Sequence, residues 1–336
     1  MQAPNTQVLF FQHIKNIIPP HISFVDDVAE QLDISNDSAY RRIRGEKQIT
    51  FEEIGKLTRH YKISLDNFLH LESDSFIFNG RISNITNESD FTYEKWLETD
   101  LQQLEHLSQF PKKHFYILAK EMPFLYYFYI PEVAAFKSYF FKKSIIEYNE
   151  MRGIKFSLDD DHSRILTISN KIANTYSKIP STEIWHEENI TNTLRQLEFY
   201  KLTGNLKSDS DAFCILDKLE ELLNHLELQA EAGKKFIYGG NPNHSSTNII
   251  MYVNEIIWGD NMIHVDLGSS SITYINHSVL NFITTRDEMF NSYMRKTIGI
   301  LASKSTQVSS ANEKDRLVFF NKMREKIKVT RKKLAL

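Results

Sequence analysis

The sequence predicts a mainly α-helical protein: an N-terminal five-helix domain followed by a larger, mostly helical α+β domain with a small antiparallel sheet. Three observations point there. Residues 24–69 divide into short apolar-periodic stretches separated by capping residues. Helical spacing recurs through much of 91–232. Around residue 248 the pattern turns to strand-like runs with turn residues between them.

The elements follow in order. A first helix is expected at about 6–17, with Val8, Phe11, Ile14 and Ile18 on one side and Pro19–Pro20 as its stop. In the second, Val25, Val28, Ala29 and Leu32 fall at i, i+3, i+4 and i+7, an apolar stripe with Asp26, Asp27, Glu30 and Gln31 outside it. Ser35 suits the N-cap of the third helix. There Ala39 and Ile43 share one face, while Asp37, Tyr40, Arg41 and Arg44 share another. Gly45 follows as a left-handed stop. Thr50 with Glu53 three residues on has the capping-box spacing for a fourth helix, lined inside by Ile54, Leu57 and Tyr61. Ser64 caps a fifth, short helix whose Leu65, Phe68 and Leu69 close the core.

Composition sets bounds. A chain of 336 residues exceeds one typical core. With 41% hydrophobic and 25% charged residues it reads as folded, and 11 Gly and 8 Pro leave little for long linkers. The single Cys214 excludes an intrachain disulfide framework and a Cys-based zinc site, and reads as a small buried apolar residue. The N-terminus lacks the basic and apolar regions of a signal peptide. The most apolar run, 123–131, is too short for a bilayer span of roughly 20 residues. A cytoplasmic location without membrane contact is therefore expected. The formal net charge of -3, and 8 Lys/Arg against 11 Asp/Glu in the first 80 residues, argue against a non-specific electrostatic binder of nucleic acid. A specific binder needs positive charge only on the face that meets phosphates.

The order Val28-Ala29-x-x-Leu32-x-Ile34-Ser35, then Tyr40-Arg41-x-Ile43-Arg44-Gly45, then Thr50-x-x-x-Ile54-x-x-Leu57, resembles the lambda-repressor-like (Cro/repressor) helix-turn-helix family. The match covers about 24–69, or from 6 if the first helix belongs. Two positions depart from the family pattern. Asp33 stands where Gly is common in the turn, and Asp tolerates the left-handed conformation better than most residues. Arg42 stands where an apolar residue is common; its stem is expected to cover the core while its head reaches solvent or phosphate. The resemblance implies that the second and third helices bind double-stranded DNA. Asn36, Asp37, Tyr40 and Arg41 would face base edges, and Ser38, Arg44 and Lys47 would meet phosphates. Arg41 could fork onto a guanine, and Asp37 could accept from a cytosine amine or orient Arg41.

The expected domains are 1–75, the helix-turn-helix; 85–245, helical; and 246–336, an antiparallel three-stranded meander with C-terminal helices packed on the helical part. Helices are expected at about 91–109, 131–149, 163–178, 187–203, 210–232, 277–303 and 311–333. The one at 210–232 carries the stripe Ala212, Ile215, Leu216, Leu219, Leu222, Leu223 and Leu226. No 34-residue register repeats, which weighs against a tetratricopeptide array. This long remainder loosely resembles uncharacterised C-terminal regions of bacterial helix-turn-helix regulators. That likeness implies dimerisation, sensing of an unknown small-molecule or peptide effector, or both.

Other constellations read as ordinary structure. His162 beside Asp159, Asp160 and Asp161 lacks metal-loop spacing and reads as a solvated acidic loop. Glu221 and His225, at i and i+4, suggest an intrahelical hydrogen bond more than a ligand pair. The Gly-Ser run at 268–271 lacks the spacing of a nucleophile elbow. No cofactor and no enzymatic activity are expected. The aromatic cluster Phe124, Tyr126–Tyr129 and Tyr139–Phe141 reads as core, or alternatively as an aromatic-lined pocket or dimer surface. The C-terminal KMREKIKVTRKKL, with seven Lys/Arg and one Glu, reads as a solvated helix end suited to the helix dipole, or as extra phosphate contacts. Together these readings predict a homodimeric, sequence-specific transcriptional regulator. The rival is an adaptor whose helical domain contacts a protein partner without DNA.

Overall fold

Short capped stretches between residues 5 and 63 form four helices among the described residues: α1 (Thr6–Ile17), α2 (Phe24–Leu32), α3 (Asn36–Ile43) and α4 (Phe51–Tyr61). The structure, a computed structural model, describes residues 5–18, 22–63, 65, 68, 76–80, 92–146, 148–255, 261–278 and 280–335. The chain divides into two units, Met1–Phe78 and Asn79–Leu336.

In the first unit the apolar stripes converge on one core. Phe10, Phe11, Ile14, Val28, Ala29, Leu32, Ala39 and Leu57 are buried together. The described residues therefore include α1 in the domain but do not form the five-helix domain expected from sequence. The anticipated helix opening at Ser64 falls mostly outside them; Leu65 and Phe68 are described, half-buried against the core. The Pro19–Pro20 stop also lies outside them, and the end of α1 is set by the Ile18 N–H donating to the Ile14 carbonyl.

The second unit corrects the sequence reading more sharply. In place of a small three-stranded antiparallel meander, its described residues build an eight-stranded mixed sheet. In chain order the unit contains β1 (Asn79–Gly80), α5 (Tyr93–Ser108), β2 (His114–Leu118), α6 (Phe124–Tyr127) and α7 (Pro131–Phe140), which runs into a π-helical turn at Phe141–Ile145. There follow α8 (Ser163–Tyr176), β3 (Ser181–Trp185), α9 (Thr191–Leu202), α10 (Asp209–Ala232), β4 (Ile249–Val253), β5 (Met262–Asp266), β6 (Ser271–Asn276) and β7 (Phe282–Thr285). The chain closes with α11 (Glu288–Ser303), β8 (Thr306–Gln307) and α12 (Glu313–Leu334).

The strand order is β1-β7-β6-β5-β2-β3-β4-β8. Strands β2, β3 and β4 run parallel, and the remaining pairs are antiparallel. The runs at 249–253 and 262–266, expected to be neighbours, are separated by β2 and β3. Phe115 pairs with Ser181 on one side and with Val265 on the other. Strand β3 was hidden because Ser-Thr-Glu carries no apolar alternation, yet all five of its residues are buried. Strand β7 falls inside the stretch expected to be helical from 277.

Burying Glu183 in β3 requires partners, since a lone buried charge is strongly disfavoured. Its Oε1 accepts from Tyr126, Tyr176 and Ser181, each at 2.7 Å, and its Oε2 accepts from Trp185 Nε1 at 2.8 Å. Lys235 Nζ, equally buried, lies 3.6 Å from Oε1 and 3.4 Å from the centre of the Tyr176 ring. This polar knot fixes part of the aromatic cluster as core. Phe124, Phe140 and Phe141 are only half-buried.

Helix α10 buries its entire expected stripe, from Ala212 to Leu226. It stops at Gly233, whose φ of 61° is left-handed; a Cβ there would come 2.1 Å from Ser310 Oγ. The expected Glu221–His225 hydrogen bond does not form. Glu221 instead accepts from Lys218 and Tyr238, and His225 Nε2 meets the Phe236 carbonyl at 3.1 Å. Cys214 is half-buried rather than buried, and its thiol pKa is raised by burial.

Candidate nucleic-acid interface

The turn between α2 and α3 is three residues long. Asp33 takes φ 56° and ψ 51°, the left-handed conformation that lets an Asp replace Gly. Ser35 then turns extended, and its Oγ accepts the Ser38 N–H at 3.3 Å, capping α3. Thr50 and Glu53 form the complete capping box of α4. Tyr61 donates to Asp27 Oδ2 at 2.6 Å, joining the end of α4 to the start of α2.

The inner side of α3 is held by more than Ala39. Arg42, only 5% exposed, does not send its head to solvent or phosphate as expected. Its Nε and Nη2 donate to the two oxygens of Glu53 at 2.9 and 2.7 Å, and its Nη1 donates to the Ser38 carbonyl at 3.2 Å. Eleven residues further along the chain lies Glu53, a carboxylate that α4 already points inward as its capping-box member, so the fork is satisfied internally.

Gln7 is a second clamp that the sequence reading missed. Its Oε1 accepts the Ile49 N–H at 3.0 Å, while its Nε2 donates to the carbonyls of Arg42 and Lys47, both at 2.7 Å. A polar residue one place before Val8 on an amphipathic helix was the only available signal. The loop after α3 is closed by Gly45, at φ 77° with Asn5 packed where a Cβ would sit, and by the N–H groups of Glu46 and Lys47 donating to the Arg41 carbonyl.

Against this frame, Asn36, Asp37, Tyr40, Arg41, Arg44 and Lys47 are all exposed. Tyr40 and Arg44 form a unit: the guanidinium carbon lies 4.4 Å above the ring centre, and Nη2 donates to the phenol oxygen at 3.1 Å. Glu46 approaches Arg44 at 3.6 Å, with both side chains more than half exposed. No hydrogen bond or ion pair engages the Arg41 side chain among the described residues. Asn36 is committed elsewhere, donating to Asp26 Oδ1 at 2.7 Å. Ser38 is half-buried.

The basic C-terminal segment is neither a simple solvated end nor a free cationic arm. Arg324 pairs with Glu227, Lys326 with Glu188, Arg331 with Asp217 and Lys333 with Glu198. Lys322 bridges Glu187 and Glu255 at 2.8 and 3.3 Å. These pairs bind α12 to α9, α10 and nearby loops. Among the described residues, no helix is long and apolar enough to cross a membrane, and no group of three or more His, Cys, Asp or Glu is placed to hold a metal ion.

A scan against models of known protein families matches none, and searches of curated proteins and of solved structures return no match.

Proposed function

We propose that this chain is a cytoplasmic, sequence-specific DNA-binding regulator of transcription, with α2 and α3 as a lambda-repressor-like helix-turn-helix and the second unit serving dimerisation, sensing or both. The observation that carries the reading is the pairing of an outward row, Tyr40, Arg41 and Arg44, with a helix whose inner side is pinned by Ala39 and the Arg42–Glu53 fork. A rigid frame behind an accessible Arg is what direct readout requires: a bidentate Arg–guanine contact is worth about 1–3 kcal/mol only when its geometry is fixed. Lys47, its backbone fixed by Gln7, suits a phosphate contact that sets register.

One short helix reads few base pairs. A homodimer would place two such helices about 34–36 Å apart on a palindrome. Pull-down of fragmented genomic DNA by the purified full chain, followed by sequencing, tests the proposal. Recovery of a shared, two-fold symmetric motif is expected. Uniform recovery of all fragments, or none at low salt, would leave the protein-adaptor reading, which the acidic balance of the first 80 residues favours.

A further inference from the structure

The second unit contains a cavity of about 430 Å³, within the roughly 300–1,000 Å³ range of small-molecule sites. It opens where β2 ends, between the loop leaving that strand and the beginnings of β5 and β7. The carboxyl ends of parallel strands are recurrent ligand sites in open α/β sheets. Its walls are aromatic, with Trp96, Phe124, Tyr127, Phe140, Phe141 and Phe282 facing it. The polar edges of two of these rings are already satisfied: Trp96 Nε1 donates to the Leu280 carbonyl at 2.8 Å, and the Tyr127 hydroxyl bonds Thr193 Oγ1 at 2.9 Å. What they offer an occupant is apolar surface.

Three charged residues line the cavity: Lys120 and Glu121 on the loop after β2, and the buried Lys137 on α7. Lys137 is 2% exposed, and its Nζ donates to Gln196 Oε1 at 2.8 Å and more weakly to Thr193 Oγ1 at 3.4 Å. It lies 4.4, 5.5 and 5.7 Å from the ring centres of Tyr127, Phe141 and Phe140. Among the described residues it forms no ion pair. The Glu121 carboxylate, also at the cavity, accepts from Asn192. An ammonium has three protons, and Lys137 spends two on neutral oxygens. A buried cation with no carboxylate in direct contact is costly, and an anion seated on its free proton lowers that cost. Burial pulls the Lys137 pKa down to about 8, opposed in part by the nearby negative charge of Glu121, which raises it.

The helix bearing Lys137 also departs from regular geometry at the cavity. Its continuation, Phe141–Ile145, is a π-helical turn, and both end residues of that turn line the space. Such insertions are frequent at functional sites. On the rim, Asn261 Oδ1 accepts the backbone N–H groups of Lys120 and Glu121 at 2.9 and 3.1 Å, tying the loop after β2 to the start of β5.

We propose that this cavity binds a small amphiphilic monoanion, a carboxylate on an apolar body, with its anionic end on Lys137 Nζ and its body among the aromatic rings. Neutral apolar molecules would fit the same walls but leave the ammonium without an anion in direct contact. Binding is read on the chain without DNA, so its outcome is independent of the regulator reading.

The test is titration calorimetry of the full chain with decanoate, with 1-decanol of equal chain length, and with 2-naphthoate. Decanoate or 2-naphthoate should bind at least about tenfold more tightly than decanol, the scale of a hydrogen bond to a charged group; which acid binds better separates an aliphatic from an aromatic body. Lys137→Met should abolish the preference for the acid while leaving decanol binding intact, and Ile263→Trp, which fills the cavity, should abolish binding of both. Equal affinity for decanoate and decanol in the unaltered chain, or no binding of either acid, overturns the proposal without reference to any variant. Unchanged acid affinity in a folded Lys137→Met protein also overturns it.

Discussion

The guanidinium of Arg42 and the carboxylate of Glu53 lie side by side in two hydrogen bonds, joining the inner face of α3 to the first turn of α4. Glu53 also accepts the Thr50 N–H that closes the capping box. One carboxylate thus serves a helix cap and a buried cation. Burial raises the pKa of Glu53, but the bonds from Arg42 and Thr50 prevail and leave it below the ordinary carboxylate value.

Removing Glu53 therefore does more than lose a pair. Glu53→Ala leaves Arg42 buried and uncompensated, and is expected to destabilise the first unit by about 3 kcal/mol, the lower end of the range for breaking a buried ion pair because Glu53 is partly exposed. Arg42→Met, apolar and of similar length, should cost much less. The sign of the pH dependence follows from the depressed acid: the stabilisation is present above the unfolded carboxylate pKa and is lost as pH falls through the folded one. Amide hydrogen exchange across residues 24–61 measures both variants; equal protection in Glu53→Ala and the parent would refute the expectation.

How much of this was readable in the letters depended on where partners lay in the chain. Caps and stripes of α1 to α4 are local, so Ser35, Thr50 and the Val28–Leu32 stripe announced themselves. The long stripe of α10 did so too. The Arg42–Glu53 and Gln7 contacts span 11 and 35 to 42 positions, and no periodicity marks them. The sheet was missed for a related reason. Strands β2 and β3 are five residues each and lie between helices. A strand buried on both faces need not alternate, and β3 carries Glu183, whose burial makes sense only once Tyr126, Tyr176 and Lys235 are seen around it. Within the candidate interface, the exposed row Tyr40, Arg41 and Arg44 was legible from helical spacing. The commitment of Asn36 to Asp26 was not.

His225 contributes to an acid limit on the second unit, together with His114 and His264, whose pKa values burial likewise lowers to about 4. His225 is 4% exposed, and burial lowers its pKa from 6.5 to about 4, only partly opposed by its bond to the Phe236 carbonyl. A depressed base binds its proton more readily in the unfolded chain, so its stabilising contribution is full above about 6.5 and is lost as pH falls toward 4. The loss amounts to on the order of 3 kcal/mol. Urea denaturation followed by far-ultraviolet circular dichroism should show stability falling between pH 7 and pH 4.5, with a smaller fall in His225→Gln. A pH-independent midpoint in the unaltered chain would contradict this.

Deleting residues 328–336 should loosen the second unit without altering contact with nucleic acid. The deletion removes the Arg331–Asp217 and Lys333–Glu198 pairs, the Thr330 bond to Glu198 at 3.0 Å and the buried Leu334. Exposed pairs contribute little each; losing Leu334 and the last turns of α12 should account for most of a fall of several degrees in Tm. The slope of DNA affinity against salt should stay as in the parent, because Lys328, Arg331 and Lys333 are paired with the chain's own carboxylates. A shallower slope would assign them to phosphates instead.

The central claim, that the outward row of α3 reads base edges, is tested most directly by selecting duplexes from a random library with the full chain and comparing its binding with that of Arg41→Ala and Lys47→Ala. The account predicts an enriched palindromic motif, loss in Arg41→Ala of preference at one base position per half-site by about 1–3 kcal/mol, and in Lys47→Ala a uniform weakening with reduced salt sensitivity. A library that emerges unenriched at low salt, or a selected site bound by both variants as by the parent, would contradict it.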